Sequence, residues 1–233
     1  MGASFAWREP RSTEVSAFSK TVCFGGRRDA TTGYLSFSNR VGPSVLVLHD
    51  FLGMQQSVRD FADGLRDAGL TVLVPDLYDG AAFDSAEHAH AMGFGLEATL
   101  RRALAAAEHL GANWHPTLGA VGFSLGAGLA CALAQEGILE AAVVYYGTGD
   151  FAPARWRGAV QGHFPPRDEQ HSDLSEISGA FSCLIDHGVE AELHLYPDTL
   201  PMFANQDASG AYDRRAEETA RGRTIDFLRY HLA

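Results

Sequence analysis

Residues 118–135, Leu118 to Gln135, read LGAVGFSLGAGLACALAQ, and this stretch decides the fold. Leu118–Phe123 is a short run of apolar and small residues suited to a buried strand. Leu125–Gln135 has the composition and length of a helix. Between them stands Ser124, with glycines on either side at Gly122 and Gly126. Strand, tight turn, helix is the repeating unit of a parallel sheet.

The same alternation runs outward in both directions. Toward the N-terminus, Ser44–His49 (SVLVLH) and Thr71–Pro75 (TVLVP) are continuous β-branched runs, as strands covered on both faces require. Val58, Phe61, Ala62 and Leu65 recur at helical spacing, and Gly69 sits where that helix stops. Leu96, Leu100, Leu104 and Ala107 mark another helix, ending near Gly111. Toward the C-terminus, Ala141–Tyr146, Ala159–Phe164 and Glu190–Tyr196 read as strands. Leu174, Ile177, Phe181 and Leu184 mark a helix closed by Gly188, and a last helix spans Tyr212–Leu232. Thr21–Ser38 reads as two short strands, and Met1 to Lys20 as a loose leader. The expectation is one α/β domain over residues 21–233: a mostly parallel central sheet with helices on both faces.

Composition bounds the function. The chain has 233 residues, 46% of them apolar and 20% charged, which is globular. Its formal net charge of −11 argues against nucleic acid or an anionic membrane as partner, since both need a basic footprint. No apolar run is long enough to span a bilayer. Cys23, Cys131 and Cys183 are odd in number and widely spaced, so they suggest neither disulfides nor a zinc site. Met1 to Lys20 carries no apolar signal segment. A cytoplasmic monomer or homodimer without cofactor or metal is expected.

In a parallel sheet, ligands sit beyond the carboxyl ends of the strands. Gly122-Phe123-Ser124-Leu125-Gly126 lies at such an end and matches G-x-S-x-G. That spacing suits a nucleophile: the tight turn exposes the serine hydroxyl, and side chains at the flanking positions would collide with backbone. The turn aims the Leu125 amide at a developing oxyanion, and the helix behind adds its positive dipole end. A second amide donor is expected in the loop after the first central strand, from Phe51.

The ordered blocks Leu48–Gly53, Val74–Tyr78, Val121–Gly126, Val144–Gly147, Gly162–Phe164 with Asp168, and Leu193–Pro197 resemble the dienelactone hydrolase-like family. The resemblance covers about residues 20–232. It implies the α/β-hydrolase fold and cleavage of lactones or esters. It implies a triad of nucleophile, Asp and His, with Ser124 and Asp168 at the first two positions. Asp50 matches an acidic residue that interacts with the nucleophile in that family. The histidine belongs in a Tyr-Pro-x-x-Gly-His segment, but here Tyr196-Pro197-Asp198-Thr199 runs on into Leu200-Pro201. Proline has no ionisable group, and loss of one triad member lowers turnover by about 10⁴ to 10⁶.

Among the ten histidines, His171 is the first substitute, three residues after Asp168 at the site edge. His49 and His163 end strands near the site. His88 and His90 lie in the segment Asp79–Gly95, a candidate lid; no third ligand stands at metal spacing beside them. The family's arginine clamp for a substrate carboxylate is missing as well: Asn205 occupies one arginine position, and Asp79–Leu100 contains no Arg. Tyr78, Phe94, Tyr145, Met202 and Phe203, with Asn205, are therefore expected to line a pocket for a small apolar or aromatic molecule bearing a carbonyl. Three functions fit these residues. The first is an ester, lactone or thioester hydrolase with a relocated base, His171 or a water-linked Asp168 or Asp50. The second is a non-hydrolytic enzyme catalysing elimination, isomerisation or cyclisation with a carboxylate and the oxyanion hole. The third is a non-catalytic binding protein.

Overall fold

The computed structural model describes residues 16–26, 30–40, 42–147, 149–166 and 174–233. Its framework is an eight-stranded sheet in the order β1-β2-β4-β3-β5-β6-β7-β8. β1 (Ala17–Phe24) and β2 (Thr31–Ser38) pair antiparallel at one edge, and β2 pairs antiparallel with β4 (Thr71–Pro75). From β4 onward the sheet is parallel through β3 (Ser44–Leu48), β5 (Leu118–Phe123), β6 (Ala141–Tyr145), β7 (Ala159–Phe164) and β8 (Ala191–Leu195).

The strands at the centre read as unbroken apolar runs because both faces are covered. β3, β4, β5 and β6 are buried along their whole length. Successive side chains go to opposite faces. Val45, Val47, Val121, Phe123 and Tyr145 meet α1 (Gln56–Asp67) and α6 (Arg214–Leu232) on one face. Leu46, Leu48, Ala120 and Val144 meet α3 (Leu96–Asn113), α4 (Leu125–Gln135) and α5 (Leu174–Asp186) on the other. The candidate lid carries a short helix, α2 (Ala86–Ala91), whose first turn is capped by the Ser85 hydroxyl accepting from the His88 amide at 3.1 Å.

Several strand and helix ends differ from the sequence reading by one or two residues, and two departures have a clear cause. Ala17 to Lys20, assigned to the leader, form the first half of β1, paired with Ser38 to Leu35. That strand is exposed along most of its length, so it carries no apolar alternation to betray it. α3 runs through Gly111 to Asn113, because a glycine near a helix end weakens the helix by only about 1 kcal/mol.

Candidate active site

β5 ends at Phe123, and the chain turns through Ser124 into α4. Ser124 sits at φ 50°, ψ −110°, a conformation that L residues rarely adopt and that surrounding structure must enforce. Enforcement comes from both sides of the turn. The Ser124 amide donates to the Tyr145 carbonyl at 3.0 Å, and the Ser124 carbonyl accepts from the Ala127 amide at 3.0 Å. A Cβ at Gly122 would lie closer than 3.0 Å to the Gly126 carbonyl, and one at Gly126 equally close to that of Leu48. The two glycines therefore let strand, turn and helix pack backbone to backbone. Leu125 is the first residue of α4, so its amide has no carbonyl of its own helix to bond. Ser124 itself is 7% exposed.

Beside the elbow, the chain leaving β3 folds over as His49-Asp50-Phe51-Leu52-Gly53. His49 is fully buried. Its Nδ1 donates to the Asp50 carbonyl at 2.8 Å, and its Nε2 accepts from the Leu77 amide at 3.1 Å. Burial pushes its pKa down to about 4, so it is a neutral strut between the ends of β3 and β4 and not a base. Phe51 is half-buried, and its carbonyl accepts from the Phe83 amide at 2.8 Å. The lid is thereby fastened to this loop.

Asp50 is 1% exposed. Its Oδ1 accepts from the Leu52 amide and its Oδ2 from Asn205 Nδ2, each at 2.8 Å. Burial raises its pKa to about 6, against the pull of those two donors, and the charge of Asp207 adds to the rise. Asn205 Oδ1 in turn accepts from the Asp207 amide at 2.9 Å and from Ser57 Oγ at 3.3 Å, while Ser57 Oγ also donates to Asp207 Oδ2 at 2.5 Å. Asp50, Ser57, Val58, Phe123, Tyr146, Ala204 and Asn205 surround a cavity of about 10 Å³ of water-accessible volume.

The sequence-selected residues divide sharply. Ser124, Leu125, Phe51, Asp50 and Asn205 converge on the strand ends. Tyr78 also comes close, fully buried against His49, Phe83 and Phe94 at ring distances of 5.0, 5.1 and 5.4 Å. Its hydroxyl has no hydrogen-bond partner among the described residues. Phe94 is half-buried behind it. Tyr145 does not line the cavity: it ends β6 on the α6 face, where its hydroxyl meets Thr224 Oγ1 at 2.8 Å. Phe203 is likewise core, fully buried against Tyr196 and Tyr146. Met202 is half-buried against the same core. Asp168 and His171 lie outside the described residues. Pro201 stands half-buried in the turn after β8, and among the described residues no histidine hydrogen-bonds to Ser124.

Tyr146 was missed as a site residue. It follows β6 with φ 32°, is 1% exposed, and its hydroxyl has no partner among the described residues. No spacing rule points to it: it lies past the end of β6 in left-handed backbone and packs in the same cluster as Tyr145, Phe123 and Phe203. Two further features bear on the site. Among the described residues no three His, Cys, Asp or Glu side chains are grouped to hold a metal, and no helix is long and apolar enough to cross a membrane.

The model of the dienelactone hydrolase family matches residues 31–232. A carboxymethylenebutenolidase of Pseudomonas putida is 29% identical over 210 residues, which is 80% of this chain and 85% of that protein. Among solved structures, a dienelactone hydrolase-like promiscuous phosphotriesterase from metagenomic libraries superposes with a TM-score of 0.77 at 20% identity, covering 94% of this chain and 99% of the other. The dienelactone hydrolase from Anabaena variabilis gives 0.71 at 19% identity, covering 93% and 99%. At these identities the structural likeness speaks for the fold alone.

Proposed function

The chain belongs to the dienelactone hydrolase family of ester-acting hydrolases, and from that premise we propose that it cleaves an ester, lactone or thioester through Ser124. The observation that carries this reading is the enforced backbone at Ser124, φ 50° at the junction of β5 and α4, with both flanking positions closed to any side chain. Strain of this kind costs about 1–3 kcal/mol and is kept where it serves chemistry.

In the proposed reaction Ser124 Oγ attacks the substrate carbonyl carbon. The amides of Phe51 and Leu125 receive the negative charge that develops on the carbonyl oxygen, each worth about 10²–10³ in rate. The serine proton passes to a base other than the missing histidine. Asp168 and His171 are candidates from the sequence; Asp50, acting through a water, is the candidate that the described structure supports. A carboxyl with a pKa near 6 is ionised at neutral pH yet far more basic than an exposed aspartate. Asn205 in place of a cation, with Asp50 and Asp207 beside it, favours a neutral substrate over a carboxylate-bearing one. A fluorophosphonate probe tests the reading: it labels the Ser124 peptide at neutral pH and leaves Ser124→Ala unlabelled. Absence of label on the wild-type protein overturns it.

A second reading draws support from the turn at Ser124, where no histidine hydrogen-bonds to the serine among the described residues. There the amides stabilise an enolate, and Asp50 moves a proton in an elimination, isomerisation or cyclisation. It is distinguished by Ser124→Ala keeping most of the activity while Asp50→Asn loses it.

A further inference from the structure

We propose that the cavity between Asp50 and Tyr146 is the site of the hydrolytic water, with Asp50 as its base and the Tyr146 hydroxyl as its second anchor. This rests on the Ser124 hydrolase reading and extends it to the second half-reaction.

Three observations converge. The cavity has about 10 Å³ of water-accessible volume, roughly the minimum that one water needs. Its walls are polar where it matters: Asp50 offers an acceptor, and Tyr146 offers a donor. The Tyr146 hydroxyl is also a buried polar group with no protein partner among the described residues. Such a group is costly unless something meets it, and a water held by two to four polar atoms is the usual answer. Burial first, and the Asp50 charge second, push its pKa well above the phenolic range, so it stays protonated as a donor. Phe123, the last residue of β5 and the one before Ser124, forms part of the wall.

In the acyl-enzyme, the acyl carbon is bonded to Ser124 Oγ. The water oxygen bonds to that carbon while one water proton passes to Asp50. The tetrahedral intermediate collapses, the carbon–Oγ bond breaks, and the proton on Asp50 passes to Ser124 Oγ. The acid product leaves, and both side chains return to their starting states.

The test is pre-steady-state hydrolysis of p-nitrophenyl acetate by the full chain. Acylation appears as the p-nitrophenol burst and deacylation as the steady rate. Tyr146→Phe is expected to slow the steady rate about tenfold while its burst rate and fluorophosphonate labelling stay within about twofold of wild type. Asp50→Asn is expected to slow the steady rate at least about 100-fold. The wild-type steady rate is expected to fall as acid protonates Asp50, with an apparent midpoint near pH 6. The groups that face this carboxyl are Asp207, Tyr78 and Tyr146, together with the Asn205 and Leu52 donors. Equal steady rates in wild type and Tyr146→Phe, or burst and steady rate falling together in that variant, overturn the water site and leave the Ser124 reading standing. A wild-type protein that gives neither burst nor label overturns both.

Discussion

Two buried polar regions sit a few residues apart and are built in opposite ways. On the α6 face, Tyr145, Gln161, His163, Tyr196 and Thr224 form a closed network. The Tyr145 and Thr224 hydroxyls meet at 2.8 Å, and Thr224 Oγ1 lies 3.1 Å from His163 Nε2. His163 Nε2 donates to Gln161 Oε1 at 2.8 Å, and its Nδ1 accepts from the Tyr196 hydroxyl at 2.7 Å. Gln161 Nε2 donates to Glu192 at 2.8 Å. At the strand ends, by contrast, Tyr78 and Tyr146 keep hydroxyls without partners among the described residues, and Asp50 is a buried carboxyl with two donors among them. The difference is one of completion: the first region satisfies its own polar groups, and the second leaves groups open beside a cavity. Residue type does not tell the two apart: Tyr145 and Tyr146 are neighbours.

Four measurements press on that contrast. The largest effect belongs to the elbow. Gly126→Ala drives a Cβ into the Leu48 and His49 carbonyls, neither of which can move without unpicking β3. It is expected to lower stability by about 3 kcal/mol or more, read as a fall in the denaturant midpoint or as loss of soluble protein.

Next is the pH dependence of folding. The pKa of Asp50 is about 6 in the folded protein against 3.8 for a free aspartate side chain, so the folded state holds the proton more tightly. The stability this contributes is fully present below about pH 4 and is lost as pH rises through 6. Wild type is therefore expected to lose about 1–3 kcal/mol relative to Asp50→Asn between pH 4 and pH 7, in paired urea titrations. A flat difference across that range would show that the carboxyl is well solvated, and the two regions would no longer differ in kind.

The third measurement is a crossed pair. Thr224→Val breaks the closed network and leaves the Tyr145 hydroxyl and His163 short of a partner. A loss of about 1–2 kcal/mol is expected, with turnover unchanged once the protein is folded. Tyr146→Phe removes a hydroxyl that has no protein partner, so its melting temperature should stay within a degree or two while its turnover drops. Reversal of that pattern would reverse the assignment of the two regions. The smallest effect is at Ser124→Gly, which relieves the φ 50° strain and is expected to raise stability by about 1 kcal/mol.

Much of this was legible beforehand, for reasons that differ from element to element. β3, β5 and α4 announce themselves because their patterns are local: apolar runs, helical spacing, and glycines where backbone must approach backbone. The elbow was found for the same reason. β1 was half missed because an exposed edge strand has no apolar signature and is held by its partner, β2. Asp50 and Asn205 were each singled out, but the bond between them spans 155 residues and no spacing rule could join them.

The chain alone therefore determined the alternation of strands and helices and the serine at a strand-to-helix turn. These follow from sterics and burial within a few residues. Only the tertiary structure decided which buried polar groups are completed and which are left open. Tyr145 finds Thr224 from a helix 79 residues away, whereas Tyr146, one position later in left-handed backbone, borders a cavity with a carboxylate on its wall. A hydrogen bond's energy depends on which group lies within 3 Å, and that is fixed by how distant segments pack.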